Sequence, residues 1–197
     1  MTVSISAEAR LALDLALTVR HDGRGGVADD LATVEGLSAW LREHPETGTD
    51  PFHADDADLA AVRDVRAAVR ALFARAVRPG EPSPADAARL MPVQDAVERL
   101  NARAALAPTV PVLSWTEDAH PVVRQEPVRD ATGPAPALAR AAIVFLASPD
   151  RLLLRACHAP RCVRYFLKDH PRQEWCKPSC GNRARVARHH ERHKKTA

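Results

Sequence analysis

The sequence predicts a mainly α-helical chain with one small β-hairpin, closed by a compact C-terminal module organised on cysteine. Hydrophobic residues make up 46% of the 197 residues but aromatics only 4%, so Ala, Leu and Val must build the core, which suits packed helices better than a β-sandwich. Apolar residues recur at helical spacing and are interrupted by Pro and Gly. All four cysteines fall late, as Cys157-x4-Cys162-x13-Cys176-x3-Cys180. The length suits one domain of about 100–150 residues with a small appended module.

The elements follow in order. Leu11 and Leu15 mark a helix over Ala7 to Arg20, ended by the turn-forming stretch His21-Asp22-Gly23-Arg24-Gly25-Gly26. A second helix starts at Thr33, whose hydroxyl suits an N-cap, and runs through Leu37, Trp40 and Leu41 to Pro45, with Trp40 as its core anchor. Asp55, Asp56 and Asp58 place negative charge at the dipole end of a third helix, with Leu59, Val62, Val65, Val69, Leu72 and Phe73 as its buried stripe and Pro79-Gly80 as its end. Ser83-Pro84 opens a further helix that Pro92 kinks or divides before Val93 to Ala105. Val110 to Val128, Val-rich and broken by prolines, reads as an edge β-hairpin joined near Glu117 to His120. After the turn Thr132 to Pro136, Ala137 to Ala147 forms an apolar helix. The expected division is a helical domain over 1–150, with the hairpin near 110–128, and a cysteine module over 151–197. No long linker separates them, so the module can pack against the helices.

Charge is segregated. The whole chain carries +3, but from Arg151 onward nine Arg and four Lys face only Asp169, Glu174 and Glu191, a net +10 that leaves −7 for the remainder. Such asymmetry points to a polyanion partner for the tail; its plainer reading is a solubilising basic surface. Glu8 and Arg10 interrupt the apolar core a signal peptide would need, and the longest apolar run, Ala141 to Ala147, falls short of the ~20 residues a bilayer span requires. The expected location is the cytoplasm, where disulfides are disfavoured.

Two close cysteine pairs separated by a loop suit one structural Zn²⁺ held by Cys157, Cys162, Cys176 and Cys180, and four protein ligands leave no open position for substrate. The module has little apolar surface, so the metal is expected to supply its core and its removal to unfold it. Val163 to Leu167 and the segment around Trp175 are expected to pair as a short hairpin, with Cys180 in the first turn of a closing helix, a treble-clef-like finger. That helix carries Arg183, Arg185, Arg188, His189, Arg192 and His193, and Arg185, Arg188, His189 and Arg192 share one face. Arg183, Arg185, Arg188 and Arg192 are the candidate nucleic-acid contacts.

Trp175 to Arg185, with Cys180-Gly181-Asn182-Arg183 at its centre, resembles the CGNR zinc finger, and the upstream cysteine pair, Tyr165-Phe166 and the basic helix fall where that family has them. Asp30 to Leu41 and Leu100-Asn101 resemble the ABATE domain that precedes such fingers in stress-induced bacterial transcription regulators. This chain has Leu17-Thr18 where that family often has Asn-Thr, and Lys168 and Gln173-Glu174 where the finger has an aspartate and two arginines. The resemblance implies a zinc-binding regulator that contacts DNA through the finger and senses a signal or partner through the helices.

The alternative is a zinc-scaffolded module that binds an acidic protein or a second copy of the chain. RNA binding through stacked aromatics is a lesser variant, since Tyr165, Phe166 and Trp175 are few. No enzyme is expected: His189 and His193 lack the Glu at 190 that a zincin helix needs, and no deaminase order of ligands is present. Asp14, His21, Asp22, Asp29 and Asp30 are the polar residues nearest helix ends where a small ligand would bind; caps and solvated turns are their plainer reading.

Overall fold

Helix α1 (Ala7–Leu17) begins under Ser6, whose hydroxyl accepts from the Ala9 N–H, and buries Leu11, Ala12, Leu15 and Ala16. The computed structural model describes residues 5–24, 26–48, 53–87, 90–117, 119–128 and 133–194. The helix ends earlier than the expected Arg20. Thr18 caps it by donating its hydroxyl to the Leu15 carbonyl at 2.7 Å, and the chain then turns extended. Val19–His21 (β1) pairs antiparallel with Val27–Asp29 (β2), a hairpin where the Gly-rich stretch suggested only a turn. Its anchor is tertiary: Arg66 grips both oxygens of Asp29 at 2.5 and 2.7 Å and reaches the Thr18 hydroxyl at 2.9 Å.

Helix α2 (Val34–Arg42) starts at Thr33, which accepts from the Gly36 N–H, and buries Leu37, Trp40 and Leu41. Helix α3 (Asp56–Ala76) opens with a reciprocal capping box between Asp55 and Asp58, and its expected stripe from Leu59 to Phe73 is buried. Two arginines, Arg66 and Arg70, are buried on it as well. In place of the helix expected from Ser83, Pro84–Asp86 makes only a single 3-10 turn; Ala88 and Arg89 lie outside the described residues, and α4 (Val93–Ala105) starts after Pro92. Thr109–Ser114 (β3) and Val122–Pro127 (β4) form the expected hairpin, most of it exposed; Asp118, in its connection, lies outside the described residues. Helix α5 (Ala135–Ala147) follows; Thr132, in the turn expected before it, also lies outside them.

The last part departs from expectation in its pairing. Leu154–Ala156 (β5) pairs with Tyr165–Leu167 (β6), and no strand of the described residues forms around Trp175. The segment between the two strands carries Cys157 and Cys162, and Cys157 N–H donates to the Arg164 carbonyl at 2.9 Å, continuing the hairpin towards the ligands. Helix α6 (Pro178–Lys194) closes the described chain.

One buried cluster joins α1, α2, α3, α4 and α5 and also takes in Leu154, Ala156, Tyr165 and Leu167. Phe73 sits at its centre, edge-on to Phe145 at 5.5 Å and to Tyr165 at 5.4 Å. This corrects the expectation that metal alone gives the C-terminal part its core. Strand alternation explains the split: Tyr165 and Leu167 point to the helices, while Phe166 faces a second small cluster with the cysteines, Ala159 and Trp175. No helix of the described residues is long and apolar enough to cross a membrane.

Candidate metal centre

The sulfurs of Cys157, Cys162, Cys176 and Cys180 all lie within 4.8 Å of one another. Two come from the turn between β5 and β6, one from the segment before α6 and one from its first turn. Cys162 to Cys176 is 3.7 Å and Cys176 to Cys180 is 3.5 Å, far beyond a disulfide bond, and none of the four is in a disulfide. Zinc–sulfur bonds of about 2.3 Å in a tetrahedron place sulfurs about 3.8 Å apart, so the spacing fits one Zn²⁺.

The first turn has a strained residue. Arg161 takes a left-handed φ of 63°, and Cys162 N–H donates to the Ala159 carbonyl at 2.9 Å, which folds Cys162 back beside Cys157. Hydrogen bonds from the Cys162 and Cys176 thiols, with the N–H groups of Cys176 and Ala159, pull the Cys157 thiol down to about 2. The same bond pushes Cys162 up to about 11, and Cys176 is pushed up as well. Four adjacent sulfurs cannot all ionise on their own, and a dication removes that obstacle. When bound, the ion supplies charge neutralisation and a fixed tetrahedral joint.

The tetrapeptide Cys180-Gly181-Asn182-Arg183 divides the labour of the site. A Cβ at Gly181 would lie 3.0 Å from the Trp175 ring, so glycine lets the indole pack on α6 over the cysteines. Asn182 accepts from the Arg185 guanidinium. Arg183 turns back, donating to the Cys180 sulfur at 3.1 Å and to the Pro160 carbonyl at 3.1 Å. Its guanidinium ties both ligand-bearing segments together, a role that grouping it with the other arginines overlooked. Arg185, Arg188 and Arg192 lie further along α6, none of them buried; among the described residues Ala184 is the last buried one on it.

Behind the finger lies a polar network that no periodicity announced. The Tyr165 phenol donates to Asp86 at 2.7 Å, Asp86 accepts from Arg70 at 2.9 Å, and Arg70 donates to the Ala16 carbonyl at 2.6 Å. Ser83 donates its hydroxyl to the Val163 carbonyl at 2.8 Å. Burial, with Asp86 beside it, pushes the Tyr165 phenol up, so it stays a donor at any ordinary pH. The sequence signal was slight: a Ser-Pro turn followed by an aspartate. The other polar candidates scatter. Asp29 and Asp30 are held by Arg66 and Arg20, Asp22 accepts from the N–H groups of Arg24 and Gly26, and Asp14 lies 3.7 Å from His44.

Helical body, finger hairpin and tetrathiolate cluster together define a helical protein with a C-terminal four-cysteine zinc finger. Comparison with family models agrees: the CGNR zinc finger matches residues 153–193, and the family described as "Putative stress-induced transcription regulator", ABATE, matches residues 9–149. The chain belongs to the ABATE family. Neither family is an enzyme family. No match was found among curated proteins.

Proposed function

We propose that the chain is a DNA-binding regulator in which the zinc-held helix α6 lies along or within the duplex groove. The observation that carries this reading is the character of α6 after Ala184. It runs on to Lys194 with no further buried residue among those described, and Arg185, Arg188, His189 and Arg192 lie along one face. A helix polar all round has no core to hold it, so its use is outward. Metal and Arg183 fix its base, which makes the cationic face a rigid one, suited to phosphates and to guanine edges. The helical body, acidic where the finger is basic, is the part that senses a signal or partner, and the two parts meet near residue 150.

The test uses the full zinc-loaded chain, because the finger hairpin shares the helical core. Duplex binding should weaken steeply with salt, and Arg185→Ala or Arg188→Ala should each flatten the salt slope by about 1 without changing the melting temperature. Salt-insensitive binding, or no binding to any duplex, sinks the proposal.

A second reading, a protein-interaction module, draws support from the β3–β4 hairpin, whose Leu113, Trp115 and Val123 are 62%, 69% and 60% exposed. Protein recovered with the chain after nuclease treatment, and lost on Trp115→Ser, would favour it.

A further inference from the structure

A cavity of about 390 Å³ lies where the β1–β2 hairpin meets the finger. Arg20 and His21 line it from the hairpin, Arg161 and Arg164 from the first cysteine turn, and Lys177 and Arg183 from the start of α6. No carboxylate lines it, and Arg161, Arg164 and Lys177 have no ion-pair partner within 4.0 Å among the described residues. Gathering like charges from three chain segments costs energy unless something negative resides there. The tetrathiolate site accounts for part. With Zn²⁺ bound it carries a residual −2, Asp30 offsets Arg20 at 2.6 Å and Asp14 interacts with Arg164 at longer range, yet five cations still leave a surplus of about one to two charges.

A second observation comes from His21. The Gly23 N–H donates to its Nδ1 at 2.8 Å, which places the proton of the neutral ring on Nε2. That Nε2 is buried and has no hydrogen-bond partner among the described residues. A buried donor left unmet is rare and calls for an acceptor. His21 is itself one of the residues that line the cavity.

We propose that this cavity binds the phosphoryl group of a small phosphorylated molecule, with Arg161, Arg164 and Lys177 neutralising its charge and the His21 ring turning to donate its Nε2–H to one oxygen. The volume suits a small ligand, and the adjoining N-terminus of α6 favours an anion there. Such a ligand would hold the β1–β2 hairpin against the finger and so couple the acidic body to the zinc module. The proposal does not rest on DNA binding, since the cavity lies at the opposite end of α6 from Arg188 and Arg192.

The test is calorimetric titration of the zinc-loaded full chain with phenyl phosphate, with phenol as the uncharged control. Saturable one-site binding is expected, weakened at least tenfold by His21→Leu and by Lys177→Gln and unchanged by Arg124→Gln on the distant β3–β4 hairpin. Lys177 is exposed, so its variant keeps the test valid even if His21→Leu fails to fold. Absence of saturable binding, or equal losses in Lys177→Gln and Arg124→Gln, overturns the site. A short duplex is the last arm: if it displaces phenyl phosphate and Lys177→Gln weakens the duplex just as much, the cavity seats a backbone phosphate and the small-ligand proposal falls.

Discussion

Tyr165, on the second strand of the finger hairpin, donates its phenol proton at 2.7 Å to Asp86, 79 residues earlier in the chain. The pair is buried, and Arg70 closes it from α3, its guanidinium 5.4 Å from the Tyr165 ring centre. Finger and helical body are thereby joined by a charge-assisted hydrogen bond and not by apolar contact alone.

Removing the phenol should destabilise the whole chain. Tyr165→Phe leaves a buried carboxylate acceptor unmet, which costs about 1–3 kcal/mol, whereas Asp86→Asn strands Arg70 and costs about 3–5 kcal/mol. Urea unfolding followed by far-UV circular dichroism and by tryptophan fluorescence should give one coincident transition for each variant. Separate transitions for finger and body would contradict the shared core.

Stripping the metal should unfold only part of the C-terminal segment. Leu154, Tyr165 and Leu167 are held by the helical core, while α6 is tied to the finger hairpin through the cysteines and Trp175. Hydrogen exchange after chelation should expose amides of residues 178–194 and leave those of 154–156 and 165–167 protected. Loss of both sets together would restore the view that zinc supplies the entire core.

Gly181→Ala should loosen the site without touching a ligand. The new methyl meets the Trp175 ring at 3.0 Å, and overpacking of this kind costs about 1–3 kcal/mol. A red-shifted Trp175 emission and faster zinc release to a competing chelator are the expected readouts.

Arg183 and Arg185 should separate by function although they are two residues apart. Arg183→Ala removes the donor to the Cys180 sulfur and should speed zinc loss, while Arg185→Ala should leave zinc retention unchanged and weaken duplex binding. Equal effects of both on zinc release would remove the distinction.

Acid should attack the β1–β2 hairpin. Burial pushes the Asp29 carboxyl up, but the Arg66 guanidinium outweighs it and holds the group below the usual carboxylate range. A depressed folded-state pKa gives stability that is present above the unfolded value near 3.9 and lost as pH falls through the folded one. Asp29→Asn should therefore lower stability at neutral pH and flatten its decline below about pH 4, as followed by thermal melting.

The features legible in the residue order are those whose partners lie within a few positions. Thr33 caps α2 through Gly36, Asp55 and Asp58 cap each other at the start of α3, and the cysteine spacing marks the ligands before any fold is known. The expected pairing around Trp175 failed because β-pairing depends on what lies behind the strand, and Tyr165 had a better place against Phe73 and Asp86. The β1–β2 hairpin depends likewise on Arg66 reaching Asp29 from α3. By itself the sequence determined the long helices, the Thr33 cap and the four clustered cysteines, since hydrogen bonds across three or four residues and thiolate chemistry are local. Only the tertiary structure decided which core Tyr165 joins, that Arg183 donates to a ligand sulfur, and that cations from three distant segments line one cavity with His21. Those outcomes are settled by burial and charge balance between segments far apart in the chain, which no short window of residues contains.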